Sequence, residues 1–569
     1  MTIPSNAQGD PQTQSQQSFQ AVFLVLTLAA AGMAALLALL PAAGHDQLWF
    51  LMMARRWLSG AQLYGPEIFD SNPPLIVWLS ALAVLLGHAL HLSTTFAAKL
   101  LVTLLETATS FLSLYFLRRA RPNTRRYELP AFLFAAIVLF YVIPARDFGQ
   151  RDQILAFLIF PYILAAAIPF RTHSLTLARC IAGILAAVAI CLKPHHALIP
   201  IAVELTLLTP AILRSKRNSS QLKPEPSPLS PNPAPFSSRL QNLFRPEPFL
   251  IILLGATYLA AIHRLTPLYF TNALPILRDT YWAIGHLSVP ALALEAIELL
   301  ILAALAISLY LRRRQPVNDF TQIPNPYSLI PVLLAAATAA TIAYFIQGTG
   351  WYYQQLPAID IFAAALTLQL LDLAAEKPIT LSRWLPTATA AVSILALSLT
   401  TYFTGSPFTL DRSFAITSPD PAFFTALTPD TPVAILTTSV DAAMMPIERY
   451  HLTWAQRMNN LWLLPAILRS ETPDSGTPPK RILPADTIAQ LDTLQHRWVV
   501  EDLTRWHPTL ILIDRCQKAD VHCQELEDRH DDLLAFFLRD PAFANLWTHY
   551  TYTGTRGEFD AYTLNPSPK

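Results

Sequence analysis

The chain has 569 residues, 53% of them hydrophobic and only 14% charged, with a formal net charge of +1 and a mean hydropathy of +0.36. A soluble domain carries about 25% charged residues, so this composition excludes an ordinary soluble enzyme. The net charge itself says nothing about nucleic acid, but no long basic stripe is present and no nucleic-acid partner is expected.

Residues 1–20 are polar, lack the basic start of a signal peptide, and read as a disordered cytoplasmic tail. Apolar segments follow at 21–41, 74–92, 95–117, 129–144, 154–170, 177–192, 196–213, 248–264, 290–311, 328–346, 355–373 and 385–404. Most approach the roughly 17–25 residues that cross a bilayer. Basic clusters stand at 118–126, 171–179, 214–217, 312–314 and 376–383. Short basic loops face the cytoplasm. With all twelve segments spanning, the clusters fall on both sides. With 74–92 lying along the outer surface, all fall on the side of the N-terminal tail. The expectation is therefore an α-helical polytopic membrane protein with about 11 spans plus one membrane-surface helix, which Pro73 and Pro74 open at an interface. The membrane domain covers 21–404, with a first external loop at 42–94 and a cytoplasmic Pro-rich linker at 214–247.

Residues 405–569 change character and read as a small α/β domain on the outer face. "TPVAILTTSV" (431–440) and "TLILID" (509–514) suit buried strands. Helices are expected at 454–468, 484–505 and 525–547, and an aromatic hairpin at 549–564 around Gly554 and Gly557. Four cysteines are too few for a disulfide scaffold. Cys516 and Cys523 suit either a disulfide in an oxidising compartment or two free thiols.

With this threading the external edges carry the chemistry. In "GHDQLWFLMMARRWLSG" (44–60) Asp46 follows the first span at once. A partly desolvated carboxylate there suits a general base, and a helix N-cap is the alternative. His45 reads as a hydrogen-bonding neighbour. "ARDFGQRDQI" offers Asp147 as a second acid with Asp152 next, and Arg146 and Arg151 to hold a phosphate through paired hydrogen bonds. Interfacial ion pairs are the alternative. "KPHH" offers Lys193 and His195, for a phosphate or for snorkelling. In "QGTGWYYQQL" the rings of Trp351, Tyr352 and Tyr353 suit sugar faces, and Gln347 and Gln354 their hydroxyls. An aromatic belt is the alternative. The loop 266–286, with Arg278, Asp279, Tyr281 and Trp282, is a candidate cover for such a site. No pattern indicates a divalent metal.

"HDQLWFLMMARRWLSGAQLYGPEIFDSNPPLIVWLSALAVLLG" resembles the first external loop of the GT-C superfamily of membrane glycosyltransferases, which includes the protein O-mannosyltransferases and the lipid A aminoarabinose transferases. The shared pattern is an acidic residue after the first span, a helix, a Gly, a Tyr, and "PPL" opening an apolar helix. The resemblance implies an inverting glycosyltransferase that takes a sugar from a polyprenyl-phosphate carrier, its donor substrate, and passes it to a cell-envelope glycan, lipid or protein. It implies Asp46 as general base or acceptor-positioning carboxylate, an inner-membrane location and a periplasmic C-terminal domain. Asn72 stands where the aminoarabinose branch often has a lysine, which sets that phosphate contact apart. A transporter or flippase, and an enzyme like the O-antigen ligases or polymerases, are the competing readings.

Overall fold

The computed structural model describes residues 24–27, 43–122, 128–144, 147–169, 175–208, 245–285, 287–313, 329–376, 419–472, 482–516, 523, 525–526 and 529–565. The tail 1–20, most of the first apolar segment 21–41, most of the linker 214–247 and the segment 385–404 lie outside them. Two compact units divide the chain: residues 1–40, 99–258 and 289–406 in one, and 41–98, 259–288 and 407–569 in the other.

The first unit is helical. Among the described residues, Thr94–Ala120, Pro246–Leu265, Leu329–Gln347 and Tyr352–Leu373 are long and apolar enough to cross a membrane, and Val289–Glu295 with Ile297–Arg313 forms a pair bent by 78°. These helices make the chain a multi-pass membrane protein. The helix Arg151–Ala166 is buried along nearly its whole length despite Pro161, and packs against Thr176–Leu192. Buried ions tie these elements at one end. Arg179 Nη1 donates to Glu247 Oε1 at 2.6 Å and Nη2 to the Ile168 carbonyl at 2.7 Å. Arg245 pairs with Glu204, which also accepts from the Tyr162 hydroxyl at 2.7 Å. Glycine is required at position 183, where a β-carbon would lie 2.9 Å from Glu247 Cα.

The second unit joins the first loop to the C-terminal residues. Its sheet has strands β1 (Pro432–Leu436), β2 (Thr453–Trp454), β3 (Leu510–Asp514), β4 (Tyr550–Arg556) and β5 (Phe559–Leu564), ordered β2-β1-β3-β5-β4. β1 runs parallel to β2 and β3, with Ile435 opposite Leu512. β5 is antiparallel to both neighbours, with Leu512 opposite Ala561. The unbroken apolar sequences of β1 and β3 match strands covered on both faces. The helix Ala485–Trp506 follows its expected course, and the hairpin turns at Gly557 with φ +56°.

Two expected helices differ. In place of 454–468, only Leu464–Glu471 is helical. Residues 455–463 are held extended and turned by polar contacts: Gln456 Oε1 accepts from Ile435 N at 3.1 Å and Asn460 Nδ2 donates to the Thr438 carbonyl at 2.7 Å. In place of 525–547 stand two short helices, Leu533–Phe537 and Pro541–Trp547, each started by an aspartate N-cap, Asp532 and Asp540. Cys516 and Cys523 form a disulfide.

In the same unit the helix His45–Leu58 packs against Leu75–Leu90 and against Asp441–Arg449. At 16 residues, Leu75–Leu90 rises about 24 Å, short of the roughly 30 Å hydrocarbon core. Arg56 clamps the loop that follows: Nη1 donates to the carbonyls of Glu67 at 2.9 Å and Gln456 at 2.8 Å, and Nη2 to that of Trp454. Its guanidinium lies 4.7 Å from the Trp506 ring centre.

Candidate functional site

Asp46 stands in the first turn of its helix and is not the cap. Gly44 occupies the N-cap position and no side chain caps the turn. The helix dipole nevertheless favours a carboxylate there. Asp46 instead faces its neighbour: His45 Nε2 is 3.3 Å from Asp46 Oδ1, and His45 Nδ1 pairs with Asp441 Oδ1. Burial lowers the His45 pKa, but the carboxylates of Asp441 and Asp46 outweigh it and hold the imidazole protonated well above its ordinary value of 6.5. Asp441 opens its own helix, so the two helices meet at their N-termini. Further along both helices the same pair meets again, with Arg55 Nη1 3.4 Å from Glu448 Oε2.

A cavity of about 600 Å3 lies along this second contact, lined among others by Arg55, His88, His91, Glu448 and His451. Its size falls within the range of small-molecule sites, and its lining mixes both charges with imidazoles.

Asn72 holds the turn before the double proline. Its carbonyl accepts from the Tyr64 hydroxyl at 2.6 Å, and its Nδ2 donates to Asp70 Oδ2 at 3.1 Å. Asp70 also accepts from Ser71 N at 2.7 Å and is buried. Sequence reading passed over Asp70 and Asp441. "DSNPP" carried a signal for the first, since Asp and Asn bond local backbone in turns. Nothing marked the second.

Except for those of the loop 266–286, which belongs to the second unit, the remaining candidates belong to the first. Three segments far apart in sequence meet there. Lys193 Nζ lies 2.8 Å from Asp152 Oδ2 and donates to Gln347 Oε1 at 3.0 Å. It also sits 5.5 Å from the Tyr353 ring centre. His196 Nε2 is 3.7 Å from Asp152 Oδ1, and its ring lies 4.6 Å from that of His195. All of these except His195 are buried. His196, which sequence reading left aside, is thus the histidine beside the acid. Asp147 and Arg151 are buried in the turn that leads into Asp152. That turn is fixed by Gln153, whose Oε1 accepts from Gly149 N and whose Nε2 donates to the Phe140 carbonyl at 2.6 Å. Gly149 has φ +88°, a conformation that favours glycine.

Trp351 and Tyr352 are half-buried, and the Tyr352 hydroxyl donates to the Ile143 carbonyl at 3.5 Å. Gln354 is engaged inside the protein, accepting from Thr349 Oγ1 at 2.6 Å. Arg146 lies outside the described residues. Arg278 is bonded to Asp279 at 3.1 Å, and the Trp282 indole donates to the Asp279 carbonyl at 2.7 Å.

The chemistry of the two groups differs. The Asp46 group is a carboxylate–imidazolium–carboxylate row on the unit of the C-terminal residues. The Lys193 group is a compact buried cation shared by a carboxylate, an amide and an aromatic face. Among the described residues, Asp514, Cys516 and Cys523 form a cluster of candidate metal ligands, and both its sulfurs are committed to the disulfide.

No family model and no curated protein matches the chain. Solved structures do. One is the crystal structure of ArnT from Cupriavidus metallidurans bound to undecaprenyl phosphate: 14% identity, TM-score 0.48, 96% of this chain and 98% of that one. Another is the oligosaccharyltransferase AglB from Archaeoglobus fulgidus with an inhibitory peptide and a dolichol-phosphate: 12% identity, TM-score 0.45, 95% and 74%. A third is the arabinofuranosyltransferase AftD from Mycobacteria: 12% identity, TM-score 0.40, 97% and 40%.

Proposed function

We propose that the chain is an inverting glycosyltransferase that moves a sugar from a polyprenyl-phosphate carrier to an acceptor on the outer face of the membrane. The observation that carries this reading is Asp46. The motif around it resembles the GT-C first loop, and the carboxylate is spent on no helix cap but held beside an imidazolium at the start of the loop helix.

In this reading Asp46 receives or positions the acceptor hydroxyl. Inversion needs the acceptor oxygen to attack the anomeric carbon from the face opposite the carrier phosphate. The acceptor proton goes to the base, and the phosphate leaves with the bonding pair. The cavity between Arg55, Glu448 and the three histidines gives a polar acceptor a recess in the unit that carries Asp46. The Cys516–Cys523 disulfide supports an oxidising, extracytoplasmic setting for the C-terminal residues. Purified protein given membrane lipid extract tests the reading: mass spectrometry then shows a polyprenyl-phosphate sugar consumed and free polyprenyl phosphate formed. Intact carriers in the presence of every envelope acceptor fraction contradict it.

A transporter reading has one observation of its own. Glu106 and Asp360 are fully buried on two of the candidate spans, and neither carboxylate has a hydrogen-bond partner among the described residues. Intramembrane carboxylates of this kind mark proton or ion paths. Solute uptake into proteoliposomes that fails in Glu106→Gln while carriers stay intact favours that reading over transfer.

A further inference from the structure

We propose that His45 and Asp441 are positioning residues for Asp46, so that the C-terminal part of the chain completes the first-loop carboxylate. This deepens the transferase reading and rests on it.

The geometry is a row of three side chains from two helix N-termini. Asp441 takes the Nδ1 side of the His45 ring, and Nε2 faces Asp46 Oδ1 at 3.3 Å. An imidazole alone swings about its side-chain torsions. Anchoring Nδ1 on one carboxylate fixes the ring plane, as the buried aspartate does in a serine-protease triad; here the ring is protonated, so its Nε2–H is a donor toward the second carboxylate. Here the order serves a carboxylate. One oxygen of Asp46 is committed to a fixed N–H, which sets the plane of the carboxyl group. The three residues are only partly exposed, with side chains 15% to 27% accessible, so the pairing is poorly screened by solvent.

The row also spans chain segments that must find each other. His45 and Asp46 begin the first loop, and Asp441 begins the helix that follows β1. Arg55 and Glu448 tie the same two helices at their other ends. A helix pair fixed at both ends leaves little freedom for the register of His45 on Asp441. Among the described residues, the charged groups facing His45 are Asp46 from its own helix and Asp441 from the helix packed on it. The other packed helix, Leu75–Leu90, has His88 as its one titratable residue, and that lines the cavity by Arg55.

The test uses the full-length protein in detergent or nanodiscs. Carrier consumption is measured across pH 5–9 for the parent, Asp441→Asn, Asp441→Glu and His45→Gln, with the thermal midpoint of each. In parallel, the His45 ring is titrated by nitrogen NMR. The expected result for Asp441→Asn is a fall in kcat of about tenfold with KM little changed, a His45 titration moved down toward its ordinary value, and a rate that declines as pH rises through that lowered value. Asp441→Glu restores most of the rate. An Asp441→Asn enzyme with parental kcat and pH profile overturns the proposal, as does a His45 titration that Asp441→Asn leaves in place. The NMR result reads out even if the carrier assay fails. Loss of the transferase reading shows separately, as a parent protein that leaves every polyprenyl-phosphate carrier intact while the His45 titration still answers to Asp441→Asn.

Discussion

The Lys193 ammonium and the Asp152 carboxylate meet at 2.8 Å, both buried, Asp152 in the first turn of its helix and Lys193 at the junction between a helix and a 3-10 turn. Removing one member of a buried ion pair strands the other and costs about 3–5 kcal/mol, whereas replacing both with apolar residues is often near neutral. Lys193→Met alone is therefore expected to destabilise the protein by that order. The double variant Lys193→Met with Asp152→Leu is expected to recover most of it. Thermal midpoints in one detergent check this, with the coupling read from the double-mutant cycle.

Arg56 bonds carbonyls of Glu67, Gln456 and Trp454 and stacks on Trp506. A lysine has no planar fork and cannot reproduce the set. Arg56→Lys is expected to destabilise the second unit by about 1–3 kcal/mol, seen as faster limited proteolysis of the C-terminal residues. Unchanged proteolysis contradicts the clamp.

His45 gives the second unit a pH dependence. Its folded pKa is raised above 6.5 by Asp441 and Asp46 against the opposing effect of burial. The folded state therefore binds the proton more tightly than the unfolded chain. The stabilisation is fully present below about pH 6.5 and is lost as pH rises through the higher folded value. His45→Gln is expected to lower the thermal midpoint most at about pH 6, with the difference shrinking toward alkaline pH. A difference that grows with pH reverses the sign and contradicts the pairing.

Cys516 and Cys523 lie seven residues apart. Closing so short a loop stabilises by about 2 kcal/mol in the chain-entropy model. Cys516→Ser with Cys523→Ser is expected to lower the midpoint of the second unit by that order. In intact cells a membrane-impermeant thiol reagent labels these positions only after an impermeant reductant, if they face outward. Labelling only after permeabilisation contradicts the outward orientation.

The sequence displayed elements whose neighbours share their periodicity. β1 and β3 were legible as continuous apolar runs, and the hairpin by its glycines. The convergence of Asp152, Lys193, Gln347 and Tyr353 was partly legible, because basic-loop parity put "RDQ", "KPHH" and "QGTGWYYQQ" on one side. Which histidine would face Asp152 was not, since adjacent residues differ only in how the short 3-10 turn Pro194–Ala197 points them. Trp454–Leu463 has the composition of a helix. Tertiary bonds from Gln456 and Asn460, together with the Trp454 indole donating to the Met458 carbonyl at 2.8 Å, hold it open instead. Asp441 could not be read as the partner of His45, because that pairing is made by the packing of two helices and by no local pattern.

The most direct measurement compares Asp46→Asn with the parent protein, equally folded by thermal midpoint, for loss of polyprenyl-phosphate sugar from a membrane lipid extract. If Asp46 is the base, the parent consumes carrier and the variant falls by at least about a hundredfold, the scale of a lost general base. A variant as active as the parent reduces Asp46 to a carboxylate that only steadies its helix, and contradicts its catalytic role.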